Sequence, residues 1–250
     1  AELMKPLEAV EVAGTHGKTT TTTMVAALLE AGGLDPSVVN GGVINAYGSN
    51  AKTGKGRWMV VEADESDGTF LKLPARAAVV TNVDPEHLDH FKTYDAVKAA
   101  FRSFIEGVPF YGFAAVCADH APTMEIAAAI RDRRILSYGF AEGADVRAGN
   151  LSADRNGMVF DVTFSARVTG GAATLKGVHL PMPGRHNVAN ALAAMTVARE
   201  LGVADADAVK GLAAFEGVQR RFTRVGVWNC VTVIDDYGHN PPKIAAAIEA

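Results

Sequence analysis

The sequence predicts an α/β protein: a mostly parallel sheet flanked by helices, with a small antiparallel sheet added to it. Two observations predict the first part. Short apolar runs alternate with longer runs of helical period, and polar clusters follow three of the apolar runs. A third observation predicts the addition, because the runs after Gly143 alternate apolar and polar residues and are separated by turn residues.

The first half of the chain is predicted to alternate strand and helix. Short apolar runs are typical of strands that are buried on both faces of a sheet. The predicted strands cover residues 10–13, 58–63, 77–83, 114–117 and 134–138. The predicted helices cover residues 20–31, 94–106 and 121–130. Gly32 and Gly33 follow the first helix and are a typical C-terminal stop.

The second half is predicted to contain the antiparallel strands, two helices and the first strands of a second domain. The predicted strands cover residues 146–151, 157–167, 172–180, 224–228 and 231–235, and the helices cover residues 187–201 and 205–215. We expect a domain boundary at residues 217–223. The prediction is therefore a central domain over residues 1–217, then a hinge and the beginning of a second domain over residues 218–250.

Composition and charge argue against several classes of function. Of the 250 residues, 48% are apolar and 21% are charged, which is ordinary for a globular protein. A formal net charge of -4 argues against a general nucleic-acid binder, which is usually basic. No apolar run reaches the length of a membrane span, and the first residues give no expectation of a signal peptide. Cys117 and Cys230 form no metal motif or disulfide framework, so we expect a cytoplasmic protein.

The sharpest local motif lies between the first predicted strand and helix, at Gly14-Thr15-His16-Gly17-Lys18-Thr19-Thr20. Glycines let the backbone approach an anion, and the helix N-terminus favours phosphate. Lys18 offers a positive charge to the β- and γ-phosphates, and Thr19 offers a hydroxyl to Mg2+. Val12 stands where the usual motif has a glycine, so this is a shorter form. The alternative is an ordinary strand–helix turn.

A cluster of carboxylates follows the second apolar run, at Glu62-Ala63-Asp64-Glu65-Ser66-Asp67. Ligands bind at the carboxyl ends of strands in open α/β sheets, so Glu62 or Asp64 is expected at that edge. Mg2+ takes one or two carboxylates with phosphate oxygens and water, which a carboxylate beside the glycine loop would suit. His87 follows the third run, in a segment too polar for the core. The alternatives are a solvated loop and a packed or exposed histidine.

Two further segments are candidates for nucleotide contacts. His186 and Asn190 share one face of a predicted helix and offer groups that suit the edge of a purine. Asn187 is explained equally well as a helix N-cap. Arg220-Arg221-Phe222 and Asp235-Asp236-Tyr237-Gly238-His239 flank the expected boundary, where charged residues suit a hinge between closing domains. The alternative for these two segments is a solvated linker.

Together these segments resemble the Mur ligase family of bacterial cell-wall synthesis. The resemblance covers nearly the whole chain and extends to Asn82-Val83-Asp84-Pro85-Glu86-His87-Leu88-Asp89-His90 and Gly184-Arg185-His186-Asn187. The strings Glu-Ala-Asp-Glu-Ser-Asp and Asp-Asp-Tyr-Gly-His discriminate best, and they resemble the members that add the first amino acid. One departure is Asn240, where a second histidine is expected after His239, so the role of that position is left open.

The resemblance implies three domains: one for a UDP-sugar, a central P-loop NTPase-like ATPase, and a C-terminal Rossmann-like domain for the incoming amino acid. Residues 1–217 are similar to the central domain and residues 218–250 to the hinge and the start of the last, truncated domain, while the UDP-sugar domain is expected to be absent. The implied activity uses ATP and Mg2+ to join L-alanine to the carboxylate of UDP-N-acetylmuramate. We expect the chain alone to bind ATP weakly and to ligate nothing.

The resemblance also implies the residues that perform the reaction. Lys18 and its loop bind the phosphates, while Thr19 and Glu62 hold the Mg2+ that bridges the β- and γ-phosphates. His87 holds a second Mg2+ near the transferred phosphoryl group. The remaining implied contacts are Asn190 and His186 at adenine, Arg221 at the phosphates and Asp236 at the ribose.

Three alternatives stay open at this point. One is a related enzyme, either a murein-peptide ligase or folylpolyglutamate synthase. The second is another P-loop protein, such as a kinase or a GTPase, although the sequence has no Asn-Lys-x-Asp motif for guanine. The third is a nucleotide-binding module with no activity of its own. The expected partners are small molecules, not nucleic acid or membrane, and the sequence does not fix the oligomeric state.

Overall fold

The computed structural model describes residues 4, 6–154, 156–238 and 241–249. The strands are β1 (Glu8–Ala13), β2 (Ser37–Ile44), β3 (Ser49–Lys52), β4 (Trp58–Glu62), β5 (Ala75–Val80), β6 (Phe113–Cys117), β7 (Ile135–Gly139), β8 (Val146–Asp154), β9 (Gly157–Phe164), β10 (Ala173–Leu180), β11 (Thr223–Trp228) and β12 (Val231–Asp235). The helices are α1 (Lys18–Ala31), α2 (Leu88–Phe91), α3 (Tyr94–Glu106), α4 (Ala121–Ala129), α5 (Arg185–Glu200), α6 (Asp205–Ala213) and α7 (Pro241–Glu249). A short 3-10 helix covers Thr69–Lys72.

Ten of the strands form one sheet in the order β10-β9-β8-β7-β6-β5-β1-β4-β2-β3. The central part of the sheet is parallel, and it consists of β8, β7, β6, β5, β1, β4 and β2 in that order. Strands β9 and β10 extend one edge and β3 extends the other, all by antiparallel pairing. The predicted fold class, a parallel sheet with an antiparallel addition, is confirmed.

Both faces of the sheet are covered, which explains the apolar character of its strands. Along β1, Val10 and Val12 pack in one cluster with residues of α1, α5 and α6. Ala13 packs on the opposite face with residues of α3 and α4. Alternate side chains of a strand point to opposite faces, so a strand between two helical layers must be apolar on both. Strand β1 therefore lies at the centre of the core, and the loop after it starts from a fixed position.

Helices α3 and α5 show how the sequence sets the start of a helix. Helix α3 begins after Thr93, whose hydroxyl accepts a hydrogen bond from the backbone N–H of Ala96 (3.2 Å). Helix α5 begins after Gly184, and Asn187 lies within its first turn, donating from its side chain to the carbonyl of Pro183 (2.7 Å). The interpretation of Asn187 as an N-cap is therefore wrong. A backbone with φ of 93° at Gly184 favours glycine there.

Strands β2 and β3 were not among the predicted elements. Strand β2 has a mixed pattern of buried and exposed residues and includes Gly41 and Gly42, so neither an alternating nor a continuous apolar run identifies it. Strand β3 is an edge strand of four residues without a fully buried side chain. Tertiary pairing, with β4 on one side, makes β2 a strand in spite of its sequence.

The segment between α6 and β11 is fastened to the end of β2. Val218 forms an antiparallel bridge with Ile44, and the N–H of Gln219 donates to the carbonyl of Val43 (2.9 Å). Beyond it, β11 and β12 form a separate two-stranded antiparallel sheet. The expected domain boundary at residues 217–223 coincides with this segment and stays a prediction. Within the described ranges, no helix combines the length and apolar character of a membrane span.

Candidate nucleotide and metal site

The three polar segments singled out in the sequence meet at one edge of the sheet. Strand β1 lies between β4 and β5, and it pairs in parallel with both. The carboxyl ends of parallel neighbours lie side by side, so the segments that follow these strands are adjacent. They are residues 14–20 after β1, residues 62–67 starting at the last residue of β4, and residues 81–87 after β5.

Two glycines of the loop after β1 are required by close contacts. Gly14 has φ of 136°, and a Cβ there would lie 2.0 Å from the hydroxyl oxygen of Thr81. Gly17 has φ of 83°, and a Cβ there would lie 2.7 Å from the carboxamide oxygen of Asn190. Both backbone conformations are ones that L side chains rarely adopt. The loop is thus held tightly against β5 on one side and α5 on the other.

Lys18 is the first residue of α1, and its ammonium group is held at the centre of the site. Its Nζ donates to the carbonyl oxygen of Gly14 (2.7 Å) and to Oε1 of Glu65 (2.9 Å). The second carboxylate oxygen of Glu65 lies 2.8 Å from Nζ as well, and the Glu65 side chain is only 2% exposed. A charged pair this deeply buried holds both groups in fixed positions. Sequence reasoning did not single out Glu65.

Glu62 is the carboxylate that the structure turns towards the glycine loop. Its Oε1 accepts a hydrogen bond from the hydroxyl of Thr19 (3.0 Å), and its Oε2 accepts one from the N–H of Gly41 (2.7 Å). Asp64 is exposed instead and accepts hydrogen bonds from the backbone and side chain of Ser66. Of the two carboxylates that the sequence left open, Glu62 is the one that contacts Thr19, and its role as a metal ligand stays a prediction.

His87 lies at the same edge, beside Glu65. Its backbone is left-handed, with φ of 56°, a conformation that is uncommon for residues other than glycine. Its Nε2 is 3.4 Å from Oε1 of Glu65. Ligand atoms of Asp64, Glu65 and His87 all lie within 4.8 Å of one another, a spacing that could hold one cation. The structure therefore joins Lys18 to His87 through a single buried carboxylate.

The segment after β5 also fixes the backbone of the glycine loop. The side chain of Asn82 accepts from the N–H of His16 (2.7 Å) and donates to the carbonyl of the same residue (3.1 Å). The N–H of Asp84 donates to the hydroxyl of Thr15 (2.8 Å), and its carboxylate lies 3.4 Å from Nε2 of His16. The side chain of Asn82 thus bonds to both backbone groups of His16, as a residue of a neighbouring strand would. Neither Asn82 nor Asp84 was predicted to have a role of its own.

A cavity of about 340 Å³ opens beside the glycine loop. Its lining includes predicted site residues from distant parts of the chain, namely His16, Gly17, Thr19, Thr20, His186, Asn190, Arg221 and Asp236. Cys117 and Tyr138, at the carboxyl ends of β6 and β7, line it as well and were not predicted. Burial raises the pKa of the Cys117 thiol to about 11, so this side chain is a neutral part of the wall near neutral pH. The size and mixed polarity suit a nucleoside.

Arg221, which precedes β11, and Asp236, which follows β12, both line this cavity. The guanidinium of Arg221 donates to the hydroxyl of Thr19 over 3.4 Å, a long contact between the linker and the glycine loop. Asp236 accepts a hydrogen bond from the N–H of Phe222 (2.9 Å). Of the Asp-Asp-Tyr-Gly-His string, His239 lies outside the described residues, and so does Asn240, whose role was left open.

Carboxylates and positively charged side chains both lie near the loop. Lys18 and Arg221 supply the basic groups, whereas Glu62, Glu65 and Asp64 supply three carboxyl groups. A triphosphate would add several more negative charges at short range. Divalent cations would offset this negative charge, and carboxylate oxygens and the Thr19 hydroxyl are suitable ligands for them.

Comparison with known proteins gives the family of this fold and site. A family model described as the Mur ligase middle domain matches residues 12–198, which is well over half of the chain. The chain belongs to the Mur ligase family. The match covers the glycine loop, the carboxylate cluster, His87 and Asn190, so the resemblance drawn from the sequence is confirmed.

Members of the Mur ligase family match the chain over its full length. A UDP-N-acetylmuramate–L-alanine ligase of Bradyrhizobium sp. (strain BTAi1 / ATCC BAA-1182) is 61% identical over all of this chain and 54% of its own length. The crystal structure of UDP-N-acetylmuramate-alanine ligase MurC from Thermotoga maritima has a TM-score of 0.83 at 29% identity, covering 99% of this chain and 54% of that one. A murein peptide ligase structure from Psychrobacter arcticus 273-4 has a TM-score of 0.76 at 28% identity, covering 98% and 55%. The chain thus spans about half the length of these relatives.

Proposed function

We propose that this protein is an ATP-dependent ligase that activates the carboxylate of UDP-N-acetylmuramate and joins it to L-alanine, a step of peptidoglycan precursor synthesis in the cytoplasm. The observation that supports it most is the meeting of Lys18, the Thr19–Glu62 pair and His87 at one sheet edge. The printed name of the Bradyrhizobium relative, at 61% identity, supports the choice of substrates.

ATP binds in the cavity with its phosphates against the glycine loop. Lys18 and the N-terminus of α1 face the β- and γ-phosphates, where positive charge and backbone N–H groups stabilise negative oxygens. The adenine lies against α5, where Asn190 and His186 face the same cavity. Asp236, which receives the N–H of Phe222, is placed to accept from the ribose hydroxyls. Each contact is one that the family resemblance implied.

The donor set at the sheet edge fits Mg2+. Thr19 and Glu62 would hold one ion beside the loop, since a hydroxyl and a carboxylate oxygen are 3.0 Å apart there. His87 would hold a second one near the γ-phosphate. When bound, Mg2+ supplies positive charge that offsets the repulsion between a carboxylate and a polyphosphate. The hydrogen bond from the N–H of Gly41 holds the Glu62 carboxylate in its orientation towards Thr19.

The reaction has two steps. A carboxylate oxygen of the sugar substrate attacks the γ-phosphorus, the bond from that phosphorus to the β–γ bridging oxygen breaks, and ADP leaves. The amine of L-alanine then attacks the carbon of the acyl phosphate, and inorganic phosphate departs as the amide bond forms. Lys18 and Arg221 stabilise the charge that develops on the transferred phosphoryl group. Positioning of two anions side by side is the main task of the protein here.

Substitution of Lys18 tests the assignment. In the intact ligase, Lys18→Ala is expected to reduce ATP turnover by about 10³-fold or more, because the transferring phosphoryl group loses its fixed cation. Lys210→Ala removes an exposed lysine on α6 and is the matched control, with unchanged turnover expected. Phosphate release by Lys18→Ala near the wild-type rate, with folding verified by circular dichroism, would defeat the proposal.

The amino acid requirement separates this proposal from related ligases. Phosphate release from ATP with UDP-N-acetylmuramate is expected to depend on L-alanine and not on a cell-wall tripeptide. Dependence on the tripeptide would favour a murein peptide ligase, the class named for the Psychrobacter structure. A protein that binds ATP and releases no phosphate with either substrate would favour a nucleotide-binding module, which is also what we expect of these 250 residues tested alone.

A further inference from the structure

Glu65 is the buried carboxylate that links Lys18 to His87. Both of its carboxylate oxygens lie within 3 Å of the Lys18 ammonium, at 2.9 and 2.8 Å. One of them is also 3.4 Å from Nε2 of His87. With 2% of its side chain exposed, Glu65 is screened from water and needs nearby positive charge to stay ionised.

Binding of a triphosphate changes the surroundings of this carboxylate. Lys18 is the residue whose position at the start of α1 suits the β- and γ-phosphates, so its ammonium group must turn towards them. Glu65 then lies close to several negative phosphate oxygens, and it shares the Lys18 ammonium group with them. A carboxylate buried beside a polyphosphate destabilises the complex unless a second cation is placed between them.

The position beside His87 also needs a carboxylate. Mg2+ is a hard cation that prefers oxygen ligands, so an imidazole alone holds it poorly. Asp64 is exposed and bonded to Ser66, whereas the Glu65 carboxylate is buried and already adjacent to the imidazole. The same oxygen that is 2.9 Å from the Lys18 ammonium faces His87.

We propose that Glu65 serves two cations in turn. In the nucleotide-free protein it is the counter-ion that positions Lys18, and in the loaded protein it becomes, together with His87, a ligand of the divalent cation nearest the γ-phosphate. The inference rests on the proposed function, since it assumes that a triphosphate binds at the glycine loop. Its distinctive consequence is that the charge of Glu65 opposes nucleotide binding without metal and favours metal binding.

The two effects have opposite signs, which separates them from simple damage to the site. Glu65→Gln keeps the size of the side chain and removes its charge. Without divalent metal, the variant is expected to bind ATP about fivefold more tightly, because one negative charge near the phosphates is lost and Lys18 is released. With ATP present, its affinity for Mn2+ is expected to fall about 10- to 100-fold. A misplaced loop would weaken both.

Isothermal titration calorimetry of the intact protein measures both affinities. The affinity for ATP is measured in EDTA, and the affinity for Mn2+ is measured in the presence of a non-hydrolysable ATP analogue. Electron paramagnetic resonance of Mn2+ gives a second measurement of metal binding. Asp67→Asn is the matched control, since this carboxylate in the same loop is exposed and bonded to Thr69. It is expected to change neither affinity. Glu65→Asp retains the charge and is expected not to show the tighter metal-free ATP binding of Glu65→Gln.

Three results would overturn the inference. They are equal weakening of ATP and Mn2+ binding by Glu65→Gln, no change in either, and tighter metal-free binding by Glu65→Asp to the same extent as by Glu65→Gln. Failure of the proposed function gives a different result, because the wild-type protein itself would then not bind ATP at this loop.

Discussion

Glu11 is a carboxylic acid in the middle of β1, and its burial predicts an unusual dependence of stability on pH. Its side chain is fully buried, and within the described part of the chain neither carboxylate oxygen has a hydrogen-bond partner. Its neighbours in register on β4 and β5 are Val61 and Ala78. Burial in these apolar surroundings raises the pKa of Glu11 from 4.5 to about 8, because the charged form loses its hydration.

The raised pKa can be converted into a free energy. At about 1.4 kcal/mol per pKa unit, the rise corresponds to roughly 5 kcal/mol for the fully ionised side chain and to roughly 3 kcal/mol at pH 7. The folded state binds the proton more tightly than the unfolded state. The contribution of neutral Glu11 is therefore fully present below about pH 4.5 and is lost progressively as the pH rises to about 8.

Glu11→Gln removes the ionisation and isolates this effect. Urea unfolding of the wild type and the variant at several pH values gives the difference in unfolding free energy. That difference is expected to move in favour of the variant by about 1.4 kcal/mol per pH unit between about pH 5 and pH 8. Glu142→Gln changes an exposed glutamate in the same way and is expected to give no such slope. Parallel curves for the wild type and Glu11→Gln would refute the reasoning.

Two further predictions concern residues that position the site. Gly41→Ala places a Cβ 2.7 Å from Oε2 of Glu62. We therefore expect kcat to fall about tenfold or more and the half-saturating Mg2+ concentration to rise. Gly149→Ala is the neutral control, because no atom lies within 4 Å of the new Cβ. Asn82→Ala removes both hydrogen bonds to the backbone of His16, so the KM for ATP is expected to rise about tenfold with a smaller change in kcat; an unchanged KM would show that the loop holds its shape alone.

Much of the site could be predicted because its elements follow local rules. A glycine loop between a strand and a helix predicts a phosphate site, because glycines and a helix N-terminus suit an anion. The carboxyl ends of parallel strands meet at one edge, which places Lys18, Glu62 and His87 near one another before any coordinates are known. The order of β1, β4 and β5 in the sheet then makes these segments immediate neighbours.

The rest depended on loop paths that spacing does not encode. Glu62, Asp64 and Glu65 lie within four residues, yet only the backbone path decides that Glu62 reaches Thr19 and that Glu65 is buried against Lys18. The hydrogen bond between Asn82 and His16 joins residues 66 positions apart, and no periodicity in the sequence marks this contact. Such contacts are tertiary, and local propensity carries no information about them.

Strand β2 shows the same limit at the level of the fold. Its two glycines weaken any strand pattern, but one of them is needed where the chain passes the carboxylate of Glu62. A local rule is broken here at a place that serves the site. Departures of this kind are expected where function, and not folding alone, determines the residue.

The central claim is that one sheet edge holds a triphosphate and two divalent cations between Lys18, Glu62 and His87. A crystal structure of the intact protein with a non-hydrolysable ATP analogue and Mn2+ tests it most directly, because anomalous scattering locates each metal. The account predicts the γ-phosphate within hydrogen-bond distance of the Lys18 ammonium, with one Mn2+ at Glu62 and another at His87. A triphosphate bound away from the glycine loop, or metals that contact neither residue, would contradict it.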